Sequence, residues 1–436
     1  MDIEELKNKH RLISLFTELA EIPSPSLKED KISEKILEIF DIFGIQAKYD
    51  SFKNVIAKIP ATSTCKGIPS LLLSAHMDVV GGFDPVNLRL SHNEKYIETD
   101  KTRTLGADDK FGVAAIIDLA IELSDLNSRI EHGLIEIVFT RDEEIGMSGI
   151  RNLDTSKLQS KYAVIADGET LGEHDNEGAG FTKVLIKVHD GIGGHSGMNI
   201  QDKTRVNAIK VLSELDTLIP QGVYKEDDRG VITSINAGVV ISETAGTAIA
   251  GMINEACLVG ENKENLSDKY KESNILDTIV NESATNVLNT KAMQSYSIRS
   301  SEPDNEKELI NYIKEQVKKL NSKYSKLIKI DIDVITHLKP FVKGSDEFLS
   351  NVIVKAGEKY SFNCRPARFH AGAETHIYAE KTNVRNETFV PVIIGLANMK
   401  NIHSADEKLD WKSFLEGRKW LEDIVVTFTQ ECKRLS

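Results

Sequence analysis

Four short apolar runs in this chain each stop at an acid or a histidine, and that repeated ending restricts the folds open to it. The first, Leu71-Leu-Leu-Ser-Ala, ends at His76, skips Met77 and reaches Asp78. The second, Leu134 to Thr140, runs into Arg141-Asp142-Glu143-Glu144. The third, Tyr162 to Ala166, ends in Asp167-Gly168-Glu169, and the fourth, Pro391 to Leu396, precedes His403 by one loop. Short apolar runs bounded by polar residues fit strands buried on both faces of a parallel sheet. Open α/β sheets place ligand chemistry at the carboxyl ends of such strands. Side chains alternate with period two, so His76 and Asp78 point the same way. A carboxylate beside an imidazole commonly orients a metal-binding histidine. Each ending taken singly also has a plain reading: a structural histidine–carboxylate pair, a helix cap at Asp108-Asp109, a solvated charge run at Asp142–Glu144.

The rest of the chain supports a two-domain partition. Helical spacing runs from Ile3 to Glu21 and from Glu29 to Phe43, with the Ile22-Pro-Ser-Pro-Ser26 loop between them. Strands are expected near Ala47–Asp50 and Asn54–Ile59, a hairpin after Gly81, and an apolar helix from Phe111 to Leu123. Strands and helices alternate throughout this half, as in a mostly parallel sheet flanked by helices. From about Phe181 the pattern changes to β-α-β. Strands are expected at Val184–Val188, Gly230–Ala237, Ala256–Gly260, Gln294–Ser300 and Ile328–Thr336, and helices at Lys203–Leu218 and Glu306–Leu320. The segments Glu261–Ser273 and Ile275–Leu288 read as an insertion. Helices then resume at Asp346–Ala356 and from Asp410, around a strand at Phe389–Ile394. The expected architecture is α/β, with a discontinuous catalytic domain (residues 1–179 and 339–436) and an inserted α+β lid and dimerisation domain (180–338).

At 436 residues the chain exceeds the usual size of a single core. Its net charge of -13, with no dense Lys/Arg block, argues against a nucleic-acid partner. Four scattered cysteines show no metal or redox spacing. No apolar stretch reaches transmembrane length, so the expectation is a cytoplasmic protein without membrane association.

Gathering His76, Asp78, Asp108, Glu143, Glu144, Asp167 and His403 on one rim would set several carboxylates against one another in a partly desolvated cleft. Divalent ions offset that repulsion. Imidazole and carboxylate donors without cysteine suit zinc, with cobalt or manganese as alternatives. His76-Met-Asp78, Gly106-Ala-Asp108-Asp109-Lys110, Asp142-Glu143-Glu144-Ile-Gly146, Asp167-Gly168, Gly194-His195-Ser-Gly197 and His403-Ser resemble, in order, the motifs of the two-zinc exopeptidase family. That family includes peptidase T, aminoacyl-histidine dipeptidase, carboxypeptidase G and acetylornithine deacetylase. Ser295-Tyr-Ser-Ile-Arg299-Ser and His370-Ala-Gly372-Ala-Glu374 are similar to the later motifs of the dipeptidase, and Gly-Ala-Asp-Asp-Lys to peptidase T.

The resemblance implies that Asp108 bridges two metals and precedes a cis peptide to Asp109. His76 and Asp167 would complete one metal, Glu144 and His403 the other. Asp78 would orient His76, and Glu143 would be the general base. His195 would stabilise the oxyanion in a partner subunit's site, implying a homodimer built on the inserted domain. Arg299 would clamp a substrate carboxylate, with His370, Gly372 and Glu374 near the substrate. Two departures bear on specificity. Ala250-Gly-Met-Ile253 stands where the dipeptidases have Asn-Ala-Ile-Pro, leaving Asn236 as the substitute asparagine, and Gly372-Ala-Glu374-Thr replaces Gly-Gly-Thr-Asp. The implied activity is hydrolysis of di- or tripeptides. The alternatives are an N-acyl amino acid amidohydrolase and a catalytically dead, metal-stabilised scaffold.

Overall fold

The computed structural model describes residues 2–228, 230–258, 275–342 and 344–435. The chain divides into two compact units, Met1–Gly178 with Phe341–Ser436, and Ala179–Pro340.

The first unit is built on an eight-stranded sheet. Its order is Gln46–Tyr49, Val55–Ile59, Ile135–Thr140, Leu71–His76, Tyr162–Gly168, Val390–Gly395, Glu173–Gly178, Arg365–Phe369. The four middle strands, Ile135–Thr140 through Val390–Gly395, are mutually parallel. Their carboxyl ends therefore share one rim. Every residue of Leu71–His76 and Ile135–Thr140 is buried, as expected for strands covered on both faces. Leu71, Leu73 and Ala75 join the core shared with helices Arg11–Glu21, Ala107–Ser124 and Trp411–Leu435. Ser74 points to the opposite face, where its hydroxyl meets the Tyr378 hydroxyl at 3.1 Å. The Ala107–Ser124 helix is apolar all round because it is enclosed, with Phe111 through Ala120 buried. The C-terminal helix approaches closely at Gly417, where a Cβ would lie 1.8 Å from the Leu396 carbonyl oxygen.

The second unit is a five-stranded antiparallel sheet ordered Gly222–Glu226, Ile232–Ser242, Ala292–Ser300, Gly180–His189, Lys329–Leu338. Val184, Ile186, Val188, Tyr296 and Ile298 form its core with Val211, Leu212 and Leu215 of helix Ala208–Asp216 and with Leu309, Ile313 and Val317 of helix Pro303–Tyr324. Among the described residues no helix is long and apolar enough to cross a membrane.

Several local expectations are corrected. The helix expected over Ile3–Glu21 is two helices, because His10 is extended (φ -135°, ψ 109°). The helix expected from Lys203 starts at Ala208, where the Asn207 side chain caps the Ile209 N–H. The strand expected at Ala256–Gly260 is not formed: helix Glu243–Leu258 runs through its first three residues, and 259–260 lie outside the described residues. A short apolar run does not by itself distinguish a strand from the end of a helix. The segment Glu261–Ser273 also lies outside the described residues. Strands Glu173–Gly178 and Arg365–Phe369 were not anticipated, since their polar sequences carry no apolar alternation; they belong to the sheet through main-chain pairing.

Candidate metal centre

The parallel rim collects the anticipated side chains within the first unit. His76 closes its strand, Asp167 is the penultimate residue of strand Tyr162–Gly168, and Glu143 and Glu144 occupy the turn after Thr140. Asp108 sits at the start of helix Ala107–Ser124, where it and Asp109 leave helical geometry (ψ 108° and 34°) and are joined by a cis peptide. Gly106 before them has φ 67°, and a Cβ there would lie 2.9 Å from Val79 Cγ1. A Gly106→Ala variant is therefore expected to lose about 1–3 kcal/mol of stability, read as a lowered melting temperature. A melt unchanged from wild type would contradict it. His403 enters from the turn between short strands Met399–Lys400 and Lys408–Asp410, at φ 62°.

Asp108 lies at the centre, one oxygen toward each imidazole. Its Oδ1 is 3.0 Å from His76 Nε2, which is 3.5 Å from Asp167 Oδ1. Its Oδ2 is 3.1 Å from His403 Nε2, which is 3.0 Å from Glu144 Oε1. That Glu144 oxygen is buried without a hydrogen-bond partner among the described residues despite its closeness to the imidazole, as for donors converging on a common point. His76 Nδ1 is 2.9 Å from the Asp78 carbonyl oxygen, so it carries the proton and leaves Nε2 as the ligating atom. Asp109 also falls within reach of His76 and Asp167. Its oxygens, however, accept the His76 and Gly112 N–H groups at 3.1 Å each, which is a structural use.

Electrostatics favour a cation here. Burial is the first cause raising the carboxyls of Asp167 to about 7 and of Glu143 well above its ordinary range, with neighbouring carboxylates adding to it. Burial also raises Glu144. The donor set, the orphaned Glu144 oxygen and this mutual repulsion all fit a pair of divalent metals. Within the polypeptide alone, the Asp108 hydrogen bond lifts the His403 imidazole from 6.5 to about 9. A ligating imidazole must be neutral, so protons compete with a metal below that value. Metal uptake at neutral pH is expected to release protons, and apparent affinity to rise up to about pH 9. Calorimetry in buffers of different ionisation enthalpy checks this, and pH-independent uptake without proton release would contradict it.

Asp78 lies beside His76, as the expectation has it, and has further contacts. Its carboxylate oxygen is 3.5 Å from His76 Nδ1, farther than its own carbonyl. The carboxylate also accepts the Glu143 N–H at Oδ1 (2.9 Å) and the Glu144 N–H at Oδ2 (3.2 Å). Sequence reasoning missed Glu407. It is buried, accepts the Gly106 N–H at 2.7 Å and the Asp108 N–H at 3.3 Å, and so anchors the Asp108 loop. In sequence it reads as one more acid in a polar turn, and only the hairpin carrying His403 brings it under Gly106.

Glu374 opens the short helix Glu374–Tyr378, and neither of its buried oxygens has a hydrogen-bond partner among the described residues. Burial pushes its carboxyl up to about 8, opposed by Thr140 and His76. His370 and Gly372 lie half-buried in the loop before it. The second unit holds His195, Asn236 and Arg299. His195 is exposed, and its Nδ1 accepts the Gly197 and Met198 N–H groups (3.1 and 3.3 Å), which leaves Nε2 as a donor. Arg299 stacks over the Phe181 ring at 5.1 Å and forms no ion pair among the described residues. The Asn236 side-chain oxygen accepts from Gln221 at 2.8 Å, and Ala250–Ile253 lies inside helix Glu243–Leu258.

The family model described as Peptidase family M20/M25/M40 matches residues 72–427. Peptidase T of Vibrio cholerae serotype O1 is 35% identical over 238 residues, 47% of this chain and 57% of that protein. The matched stretch covers 57–63% of the length of the first curated relatives. A tripeptidase structure from Staphylococcus aureus superposes with TM-score 0.77 at 21% identity, covering 96% of this chain and 98% of that one. Aminoacylhistidine dipeptidase from Vibrio alginolyticus superposes with TM-score 0.63 at 18% identity, covering 95% and 96%.

Proposed function

Because the chain belongs to peptidase family M20/M25/M40, we propose that it is a metal-dependent exopeptidase cleaving di- or tripeptides with a free N-terminus. The observation that carries this reading is Asp108, with one carboxylate oxygen toward His76 and Asp167 and the other toward His403 and Glu144. His76, Asp108 and Asp167 would hold one ion, and Asp108, Glu144 and His403 the other. Two imidazoles and three carboxylates suit zinc, with cobalt or manganese able to substitute. When bound, the ions supply Lewis acidity toward the peptide carbonyl and make the attacking water more acidic.

The remaining work falls to the chain. Glu143 removes a proton from the attacking water and delivers it to the leaving amine. Its neighbour Glu144 is engaged as a ligand, and the Glu143 carboxylate accepts no hydrogen bond among the described residues, so it is left to move the proton. Asp78 fixes the backbone of both glutamates. His195, donating from Nε2, stabilises the developing oxyanion in the site of a second copy of the chain, which makes the working form a homodimer through the inserted domain. Exposed Val239 and Val240 on its sheet support an interface there. Arg299, half-buried and forming no ion pair among the described residues, suits a substrate carboxylate, and Asn236, His370, Gly372 and Glu374 are the other proposed substrate-binding residues. The protein would work in the cytoplasm.

An N-acyl amino acid hydrolase would use the same metals and Arg299, so substrates separate the two. A tripeptide, a histidine-containing dipeptide and an acetylated amino acid should be compared with and without chelator. The expected result is chelator-sensitive cleavage of the free peptides, restored by zinc, cobalt or manganese. Turnover of the acetylated substrate alone would overturn the peptidase reading, and no turnover of any would favour the scaffold.

A further inference from the structure

The loop from Ser24 to Glu29 bonds to both strand ends that carry the central residues. Ser24, fully buried, donates to the Met77 carbonyl at 2.9 Å and accepts the Val79 N–H at 3.0 Å. Leu27, held at φ 69°, donates its N–H to Asp142 Oδ1 at 2.6 Å. Glu29, also fully buried, accepts the Asp142 N–H at 3.1 Å and two bonds from the Arg141 guanidinium. The loop thus ties the end of Leu71–His76 to the turn that follows Ile135–Thr140.

One side chain in this loop reaches the group that sets the Glu143 backbone. The Ser26 hydroxyl donates to Asp78 Oδ2 at 2.7 Å. The same carboxylate accepts the Glu143 and Glu144 amides at 2.9 and 3.2 Å. Because the Glu143 carboxylate accepts no hydrogen bond among the described residues, its position is set by its backbone and hence by Asp78. Asp78 is fully buried, so each donor to it carries weight. With Ser26 removed, Oδ2 retains, among the described residues, only the longer bond from Glu144. A base displaced by a fraction of an ångström loses much of its effect.

We propose that Ser26 is a positioning residue for Glu143, acting through the Asp78 carboxylate that holds the Glu143 and Glu144 amides. The inference rests on the reading of Glu143 as general base. Its test compares Ser26→Ala and Ser26→Thr with wild type in kcat, KM, zinc content and amide exchange of the segment from Arg141 to Met147, followed by mass spectrometry. Ser26→Ala should lower kcat about tenfold, with KM and zinc content unchanged. Its 141–147 amides should exchange roughly two- to tenfold faster. Ser26→Thr, which keeps the hydroxyl, should restore both. Wild-type exchange and wild-type kcat in Ser26→Ala would overturn the inference, as would faster exchange with kcat intact. A wild type without peptide turnover would instead overturn the peptidase reading, and the exchange measurement would still decide whether Ser26 holds the turn.

Discussion

Replacing Glu143 by glutamine should leave the metal content of the protein unchanged and lower kcat by about 10²–10⁴. The amide keeps the volume and the backbone contacts that Asp78 makes with residue 143, but it cannot take a proton. Glu143 has no hydrogen bond through its own carboxylate among the described residues, so the substitution breaks no structural bond. Stability should stay within about 0.5 kcal/mol of wild type, or rise slightly as one buried like charge is removed. Turnover assays alongside metal analysis and a thermal melt check this. Activity retained at more than a tenth of wild type would show that another group carries the proton.

The second large effect is expected at Asp108. An Asp108→Ala variant removes the carboxylate that lies 3.0 Å from one imidazole and 3.1 Å from the other. Both metal positions should weaken together, and turnover should fall by about 10⁴ or more, because Lewis acidity and water activation are lost along with the base's substrate. Asp109→Asn makes the contrast, since Asp109 holds the His76 and Gly112 amides. Its cost should appear mainly in the melting temperature. Equal metal loss in both variants would show that Asp108 has no special place between the ions.

Much of the centre was legible in the sequence, and for a physical reason. Strands buried on both faces read as apolar runs, and the polar residues that stop them are the ones a parallel sheet delivers to its carboxyl rim. His76, Glu143, Glu144 and Asp167 follow from that rule alone. Asp108 and His403, in a loop before a helix and in a hairpin turn, join them as candidates from the same strand and helix edges, and the division of all these residues into ligands and base needed the family resemblance. The use of the Asp78 carboxylate was not readable, since alternation puts it beside His76 while only the three-dimensional turn brings the Glu143 and Glu144 amides to it. Glu407 and Ser26 were missed for the same reason. Each acts from a segment distant in sequence, through a main-chain or carboxylate contact that leaves no periodic trace. The polar strands Glu173–Gly178 and Arg365–Phe369 escaped because main-chain pairing, not side-chain pattern, holds them in the sheet.

The account stands on a pair of ions sharing Asp108. Anomalous diffraction from crystals of the zinc-loaded protein tests it most directly. The expected map shows an ion against each Asp108 oxygen, one also touching His76 and Asp167 and the other Glu144 and His403. A single ion at saturating zinc, or ions that leave Asp108 untouched, would contradict the assignment.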